Sequence, residues 1–216
     1  MAKWLIVQGT NVNVPQVHRS ALDAAASNGS EDMVRFLIKH GADVNAEGPF
    51  DYSIIESFVL LNWPSSIGQI LLSSGADPNK TDDSGYTPLF LLSEDSVSAL
   101  PLLLEYGANI NHLNYIGFTP LIRAAHDGIP SVVKALLNHG ADMSLKTKYG
   151  QTAMEVAVEK GHEEIIQILR DHEMKLKSSV LTERTLYSQA HVTNSHLIPT
   201  QTDSPSLYRP LQNIYQ

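Results

Sequence analysis

The chain of 216 residues contains no cysteine, which excludes disulfides and thiolate-bound metal and leaves a reducing compartment permitted. It also lacks any concentration of positive charge. Against 23 Asp plus Glu there are only 15 Lys plus Arg, a formal charge of -8, and no block of five or six like charges occurs. Phosphate binding needs a basic stripe, so nucleic acid is not an expected partner. No apolar run approaches membrane length, and Trp4-Leu5-Ile6-Val7 is too short for the core of a signal peptide. The expectation is a soluble cytoplasmic protein, with the nucleus as the alternative compartment, monomeric and without membrane association.

Catalytic and cofactor signatures are missing as well. There is no G-x-G-x-x-G and no G-x-x-x-x-G-K to cradle a phosphate. Gly161-His162-Glu163-Glu164 has no second histidine four residues on, as a zinc-protease helix requires, and Asp82-Asp83 is not followed by the spaced oxygens of a calcium loop. Of the 9 histidines, His40 and His139 stand directly before glycines at helix C-termini, where a cation is favoured. His126-Asp127 offers half an acid-base pair, but no nucleophile stands in recognisable spacing to it, and a surface role is the reading preferred. No enzyme, metal or cofactor is expected.

What is present is repetition. Gly41-Ala42-Asp43 returns as Gly75-Ala76-Asp77, Gly107-Ala108-Asn109 and Gly140-Ala141-Asp142, with a weaker copy at Gly9-Thr10-Asn11, a period of 32 to 34 residues. Such a period means a small supersecondary unit stacked on copies of itself. The cleanest unit runs from Asn114 to Leu145. Asn114-Tyr115-Ile116-Gly117 is a turn whose glycine supplies a positive φ. Thr119 offers its hydroxyl as a cap, and Pro120 fits the first helical turn, where its missing N–H costs nothing. Leu121, Ala124 and Ala125 follow at helical spacing, Gly128 ends that helix, and Pro130 opens a second with Val132, Val133, Leu136 and Leu137 on one face. Gly140 then stops the chain in the left-handed conformation.

These residues resemble the ankyrin repeat, whose pattern is T-P-L-H-x-A-A, a Gly, then G-A-D-x-N. Ser20-Ala21-Leu22 with Ala25-Ala26, Gly29, Met33-Val34, Leu37-Ile38 and Gly41-Ala42-Asp43-Val44-Asn45 repeats the match. So does Thr87-Pro88-Leu89 with Leu103-Leu104 and Gly107. A further copy, Thr152-Ala153-Met154 with Gly161-His162, Ile165-Ile166 and Leu169, lacks the final Gly-Ala-Asp. The resemblance implies an all-α ankyrin-repeat solenoid over 1–173, with a partial first repeat at 1–13 and repeats at about 14–46, 47–80, 81–112, 113–145 and 146–173. It implies too that Asn45, Asn79 and Asn111 bridge loop backbone, and that they are of a kind open to enzymatic hydroxylation.

Four irregularities stand out. The first repeat reads as a second helix alone, Ala2 to Gln8, as though the chain were a piece of a longer array. In the repeat from Glu47 to Lys80, Phe58 and Val59 replace the usual alanines, which predicts a widened helix spacing. Pro101 falls inside a second helix, which predicts a shortened or kinked helix over Ala99 to Tyr106. From 174 to 216 periodicity stops, which reads as a disordered tail or as segments docked on the array or a partner.

The resemblance also implies where another molecule is met, on the concave side made by turn tips and the exposed side of the first helices. The positions free of packing duty are Asp83, Tyr86, Glu94, Asp95, Tyr115, Ile116, Phe118, His126, Asp127, Lys148, Tyr149 and Gln151. Aromatic rings ringed by polar groups are what interface anchors look like, although Tyr86 and Phe118 also fit as spacers between tips. With Asp82 nearby, the middle of this face reads as acidic and suits a protein partner carrying a basic patch. The expected function is a non-enzymatic adaptor, scaffold or inhibitor, and the alternative is the sensor or targeting arm of a larger protein.

Overall fold

A computed structural model describes residues 11–13, 20–46 and 52–194, with side chains as far as 178 and at Thr182. The helix expected at Ala2 to Gln8 lies outside the described residues. The chain divides into two compact units, residues 1–172 and 173–216. The first unit is a stack of helix pairs: α1 Ala21–Ser27 with α2 Glu31–Lys39, α3 Ile54–Leu60 with α4 Ser65–Ser73, α6 Pro120–Asp127 with α7 Pro130–Asn138, and α8 Ala153–Lys160 with the start of α9 Glu163–Asn194. Between α4 and α6 the pair is degraded to two 3₁₀ turns, Pro88–Leu91 and Val97–Ala99, followed by α5 Leu100–Glu105. The protein is an all-α solenoid.

Each first helix begins on a hydroxyl residue for the same reason, that its leading N–H groups have no intrahelical acceptor. Ser20 Oγ accepts from Asp23 N–H at 3.0 Å and Thr119 Oγ1 from Ile122 N–H at 3.1 Å. Ser53 and Thr152 go further and form reciprocal caps. The Ser53 N–H donates to Glu56 Oε2 at 2.6 Å and the Thr152 N–H to Glu155 Oε2 at 2.7 Å, while each hydroxyl takes the N–H three residues on. Those contacts hold the exposed Glu155 carboxyl below its ordinary pKa.

Thr87 breaks the rule. Its hydroxyl caps nothing and is buried without a partner, and the helix it should open is only a 3₁₀ turn. Just beyond it, Ser93 and Ser96 bond one another's backbone N–H at 3.0 and 3.3 Å and share a hydroxyl contact at 3.0 Å. Such local side-chain bonds offer the backbone an alternative to continuing a helix. Pro101 is accommodated as expected, by a late start: α5 has six residues and takes the proline in its first turn.

The core is one continuous apolar seam from Leu22 through Leu169. Alanines at Ala25-Ala26, Ala124-Ala125 and Ala153, all buried, let first helices approach, and α6 packs directly on α8. In α3 the corresponding residues are Phe58 and Val59, both buried. The bulk of Phe58 is taken up locally by Gly68 of α4, since a Cβ on that glycine would stand 2.5 Å from Phe58 Cζ.

The periodicity that ends near Glu173 does not end the helix. Where the sequence reads as a disordered or docked tail from 174, α9 remains helical to Asn194. Helix formers such as Met174, Lys175, Leu176 and Lys177 sustain it, with Glu173 and Lys177 paired at 2.6 Å one turn apart. Residues 195–216 lie outside the described residues. Among the described residues no helix is long and apolar enough to cross a membrane.

Candidate protein-binding surface

The turns between helix pairs are built alike. Asp82 Oδ1 accepts from Ser84 and Tyr86 N–H, both at 2.8 Å, Asn114 Oδ1 from Ile116 at 3.1 Å and Phe118 at 2.8 Å, and Thr147 Oγ1 from Tyr149 at 3.2 Å and Gln151 at 3.3 Å. Adjacent tips are tied by backbone bonds, Tyr115 N–H to Ser84 O and Lys148 N–H to Ile116 O, each 3.3 Å. Tyr115 covers Gly85, where a Cβ would be 3.0 Å from Tyr115 Cδ1. A row of rigid tips results, and it carries Tyr115 63% exposed, Ile116 43% exposed and Tyr149 80% exposed. Asp83 and Lys148 are exposed beside them.

Behind the tips a second group joins residues from two repeats. Arg123 of α6 donates from Nε to Asp127 and from Nη1 to Tyr86 Oη at 3.3 Å, with its guanidinium 5.5 Å above the Tyr86 ring. Burial disfavours the Arg123 charge, but Asp127 and then Tyr86 outweigh it and hold its pKa above the ordinary value. His126 Nδ1 lies 2.8 Å from the other Asp127 oxygen, and its ring is 5.8 Å from Phe118. Tyr86 in turn stands edge-on to Phe90 at 5.0 Å. The structure therefore brings Tyr86, Phe118, His126 and Asp127 together around Arg123. Tyr86 and Phe118 are half-buried, whereas Tyr115 and Tyr149 stand out to solvent.

Arg123 is missing from the sequence-derived set, although its spacing of four from Asp127 on one helix is a readable signal. It revises the charge of the face. Asp127 is paired with Arg123, whereas Asp82, in its turn, and the exposed Asp83, Glu94 and Asp95 make no ion pair among the described residues. Gln151 is turned toward its own repeat, donating to Glu159 at 2.5 Å.

Four of the described histidines are held by backbone carbonyls. His40 Nδ1 meets Phe36 O and His139 Nδ1 meets Ala135 O, both at 2.8 Å, and His112 Nε2 and His162 Nε2 meet Gly85 O and His126 O, both at 3.1 Å. A carbonyl only accepts, so each of these nitrogens carries a proton and serves as a donor. Among the described residues no three His, Asp or Glu are grouped to hold a metal ion.

The comparisons agree with this geometry. The family described as "Ankyrin repeats (3 copies)" matches residues 62–147 and 93–180, and "Ankyrin repeat" matches 18–49. The chain belongs to the ankyrin repeat family. It is 34% identical to mouse "Ankyrin repeat and SOCS box protein 16" over 71% of this chain and 34% of that protein. It is 25% identical to a Caenorhabditis elegans "Transient receptor potential cation channel subfamily A member 1 homolog" over 89% of this chain and 13% of that one. With bovine "Mitochondrial disaggregase" the figures are 27% identity, 81% of this chain and 26% of the relative. The chain thus spans between about an eighth and a third of the curated relatives it matches.

Proposed function

We propose that the chain is a non-enzymatic protein-interaction module whose turn tips and first-helix ends bind a protein partner, as adaptor, scaffold or inhibitor. The observation that carries this reading is the pair Tyr115 and Tyr149 on neighbouring tips, 63% and 80% exposed. The Tyr115 ring rests on Gly85 with most of its surface left to solvent, Tyr149 is more exposed still, and exposed aromatics are what interfaces use as anchors. Asp83, Glu94 and Asp95 favour encounter with a basic partner surface.

The test is affinity capture with the chain and with Tyr115→Ala/Tyr149→Ala. The double variant should keep its helical circular dichroism and lose the specifically captured partner, with at least ~2 kcal/mol lost in binding. An unchanged capture profile would count against the tips. A second reading, an arm of a larger protein, is favoured by the small share of each relative that the chain covers.

A further inference from the structure

In the five repeats whose first element is described, a comparable pair stands seven and eight residues past the N-cap; in four of them it closes the first helix, and in the third it lies just beyond the 3₁₀ turn Pro88–Leu91. Counted from the N-caps Ser20, Ser53, Thr87, Thr119 and Thr152, the seventh and eighth residues are Ser27-Asn28, Leu60-Leu61, Glu94-Asp95, His126-Asp127 and Glu159-Lys160. Four of these pairs are polar. The second is Leu60, 42% exposed at the end of α3, and Leu61, 52% exposed as its C-cap. The core position in this repeat is filled without them, by the buried Phe58 and Val59. One layer on, α3 packs against the 3₁₀ turn Pro88–Leu91 that leads to the exposed Glu94 and Asp95. In the layer after that, Arg123 cancels the charge of Asp127. An apolar step, an acidic step and a neutralised step therefore follow in consecutive repeats.

We propose that Leu60-Leu61 and Glu94-Asp95 together read an extended segment of a protein partner, one in which an apolar side chain and a Lys or Arg stand three residues apart. Stacked helical layers lie roughly 8–10 Å apart. An extended chain advances about 3.3 Å per residue, so three residues cover one layer. The apolar residue would bury the leucine pair, which water otherwise meets. The cation would meet two carboxylates that have no internal ion pair among the described residues, and the apolar layer before them and the neutralised layer after fix the register. This deepens the interaction reading and rests on it, since it names the chemistry of what the same face takes.

The experiment pans a phage-displayed library of random 12-residue peptides against the full chain. Three variants run in parallel: Leu60→Ser/Leu61→Ser, Glu94→Lys/Asp95→Lys and Tyr115→Ala/Tyr149→Ala, each checked for native circular dichroism. The expected result is enrichment of an apolar residue with Lys or Arg three positions away. Binding of the selected peptides should weaken at least about tenfold in the leucine variant, and the charge variant should select acidic residues in place of basic ones. Peptides that ignore both of these variants but fail on the tyrosine variant would overturn the inference and leave the interaction function standing. Peptides indifferent to all three variants would overturn both. A spacing of seven, as a helical ligand would give, or no enrichment above the bare support, would also overturn the inference.

Discussion

Asn45 Oδ1 accepts the backbone N–H of Asp77 at 2.8 Å, a bond across 32 residues of chain. The same amide donates from Nδ2 to Gly75 O at 2.9 Å, so one side chain closes the next loop from both ends. The arrangement repeats at Asn13 with Gly41 and Asp43, and at Asn79 with Gly107 and Asn109, and Asn111 takes the Asp142 N–H at 2.9 Å. Repeats are therefore joined by a polar ladder along the loops as well as by the apolar seam. In a stack where each unit touches only its neighbours, such joints set how far cooperativity extends.

Asn45→Ala removes one donor and one acceptor and leaves the Asp77 N–H and Gly75 C=O without these partners. Because the loops are exposed, water replaces part of the loss, and the expected cost is about 1–2 kcal/mol. That corresponds to a fall in Tm of roughly 2–8 °C for a chain of this size. Thermal and urea unfolding check it. Asn45→Asp, which keeps the acceptor but not the donor, should fall between the two, and a variant as stable as the parent would deny the ladder any role in coupling.

At Ser144 the ladder ends. This residue stands two after Asp142, where earlier repeats carry asparagine, and its N–H and hydroxyl both bond Asp142 Oδ1, at 2.8 and 2.6 Å. Those bonds hold the Asp142 carboxyl below its usual pKa. The repeat that follows has no Gly-Ala-Asp turn, because α9 continues through that position. Ser144→Asn restores the repeat's usual residue with no loop to bind, so its stability should stay within about 0.5 kcal/mol of the parent. A clear gain in Tm would mean that some other group receives the amide.

How much of this was readable follows from which interactions are local. The Gly-Ala-Asp period, Thr119-Pro120 and the alanine pairs each encode a cap, a turn or a close approach within one unit, and they locate the helices directly. The spacing Ser53 to Glu56 likewise spells a reciprocal cap in sequence. What stayed hidden depends on pairs between units. Phe58 is legible as too large, but its solution is Gly68 ten residues on, and Arg123 acquires meaning only once α6 lies against the turn bearing Tyr86. The failed helix after Thr87 is hidden because its Thr-Pro-Leu start is normal and the competing Ser93–Ser96 bonds lie beyond it. At the surface, the aromatic tips are marked by their place in the repeat pattern, while the exposure of Leu60 and Leu61 depends on how α3 is set against its neighbours.

Gly68→Ala sets two effects against each other. In a helix interior alanine is favoured over glycine by about 0.5–1 kcal/mol. Here the new Cβ would stand 2.5, 2.6 and 2.9 Å from three ring atoms of Phe58, a residue 2% exposed with little room to retreat. Overpacking of that kind costs about 1–3 kcal/mol, so the clash wins and net destabilisation is expected. Pairing Gly68→Ala with Phe58→Leu should recover part of the loss. Denaturant titrations of the two singles and the double give the coupling, and strict additivity would show that ring and glycine do not share the space.

Glu56 supplies a pH dependence whose sign can be worked out. Its side chain is almost fully buried, Oε2 takes the Ser53 N–H, and Oε1 has no partner. Burial pushes its pKa above the ordinary glutamate range. The Ser53 bonds oppose that, the Asp82 charge adds to it and Lys80 opposes it weakly. The folded state therefore holds this proton more tightly than the unfolded chain does. The resulting stabilisation is fully present below the unfolded pKa and is lost as pH rises through the folded one. Above that folded pKa the fold carries a buried, half-satisfied carboxylate. Glu56→Gln removes the charge while its carbonyl can still accept from Ser53, so the variant should gain stability relative to the parent at about pH 7. That advantage should shrink as pH falls to about 4, where the parent carboxyl is itself neutral. Urea unfolding of both proteins across this range decides the matter. An advantage that grows on acidification would mean that the Ser53 bonds, and not burial, set the Glu56 equilibrium.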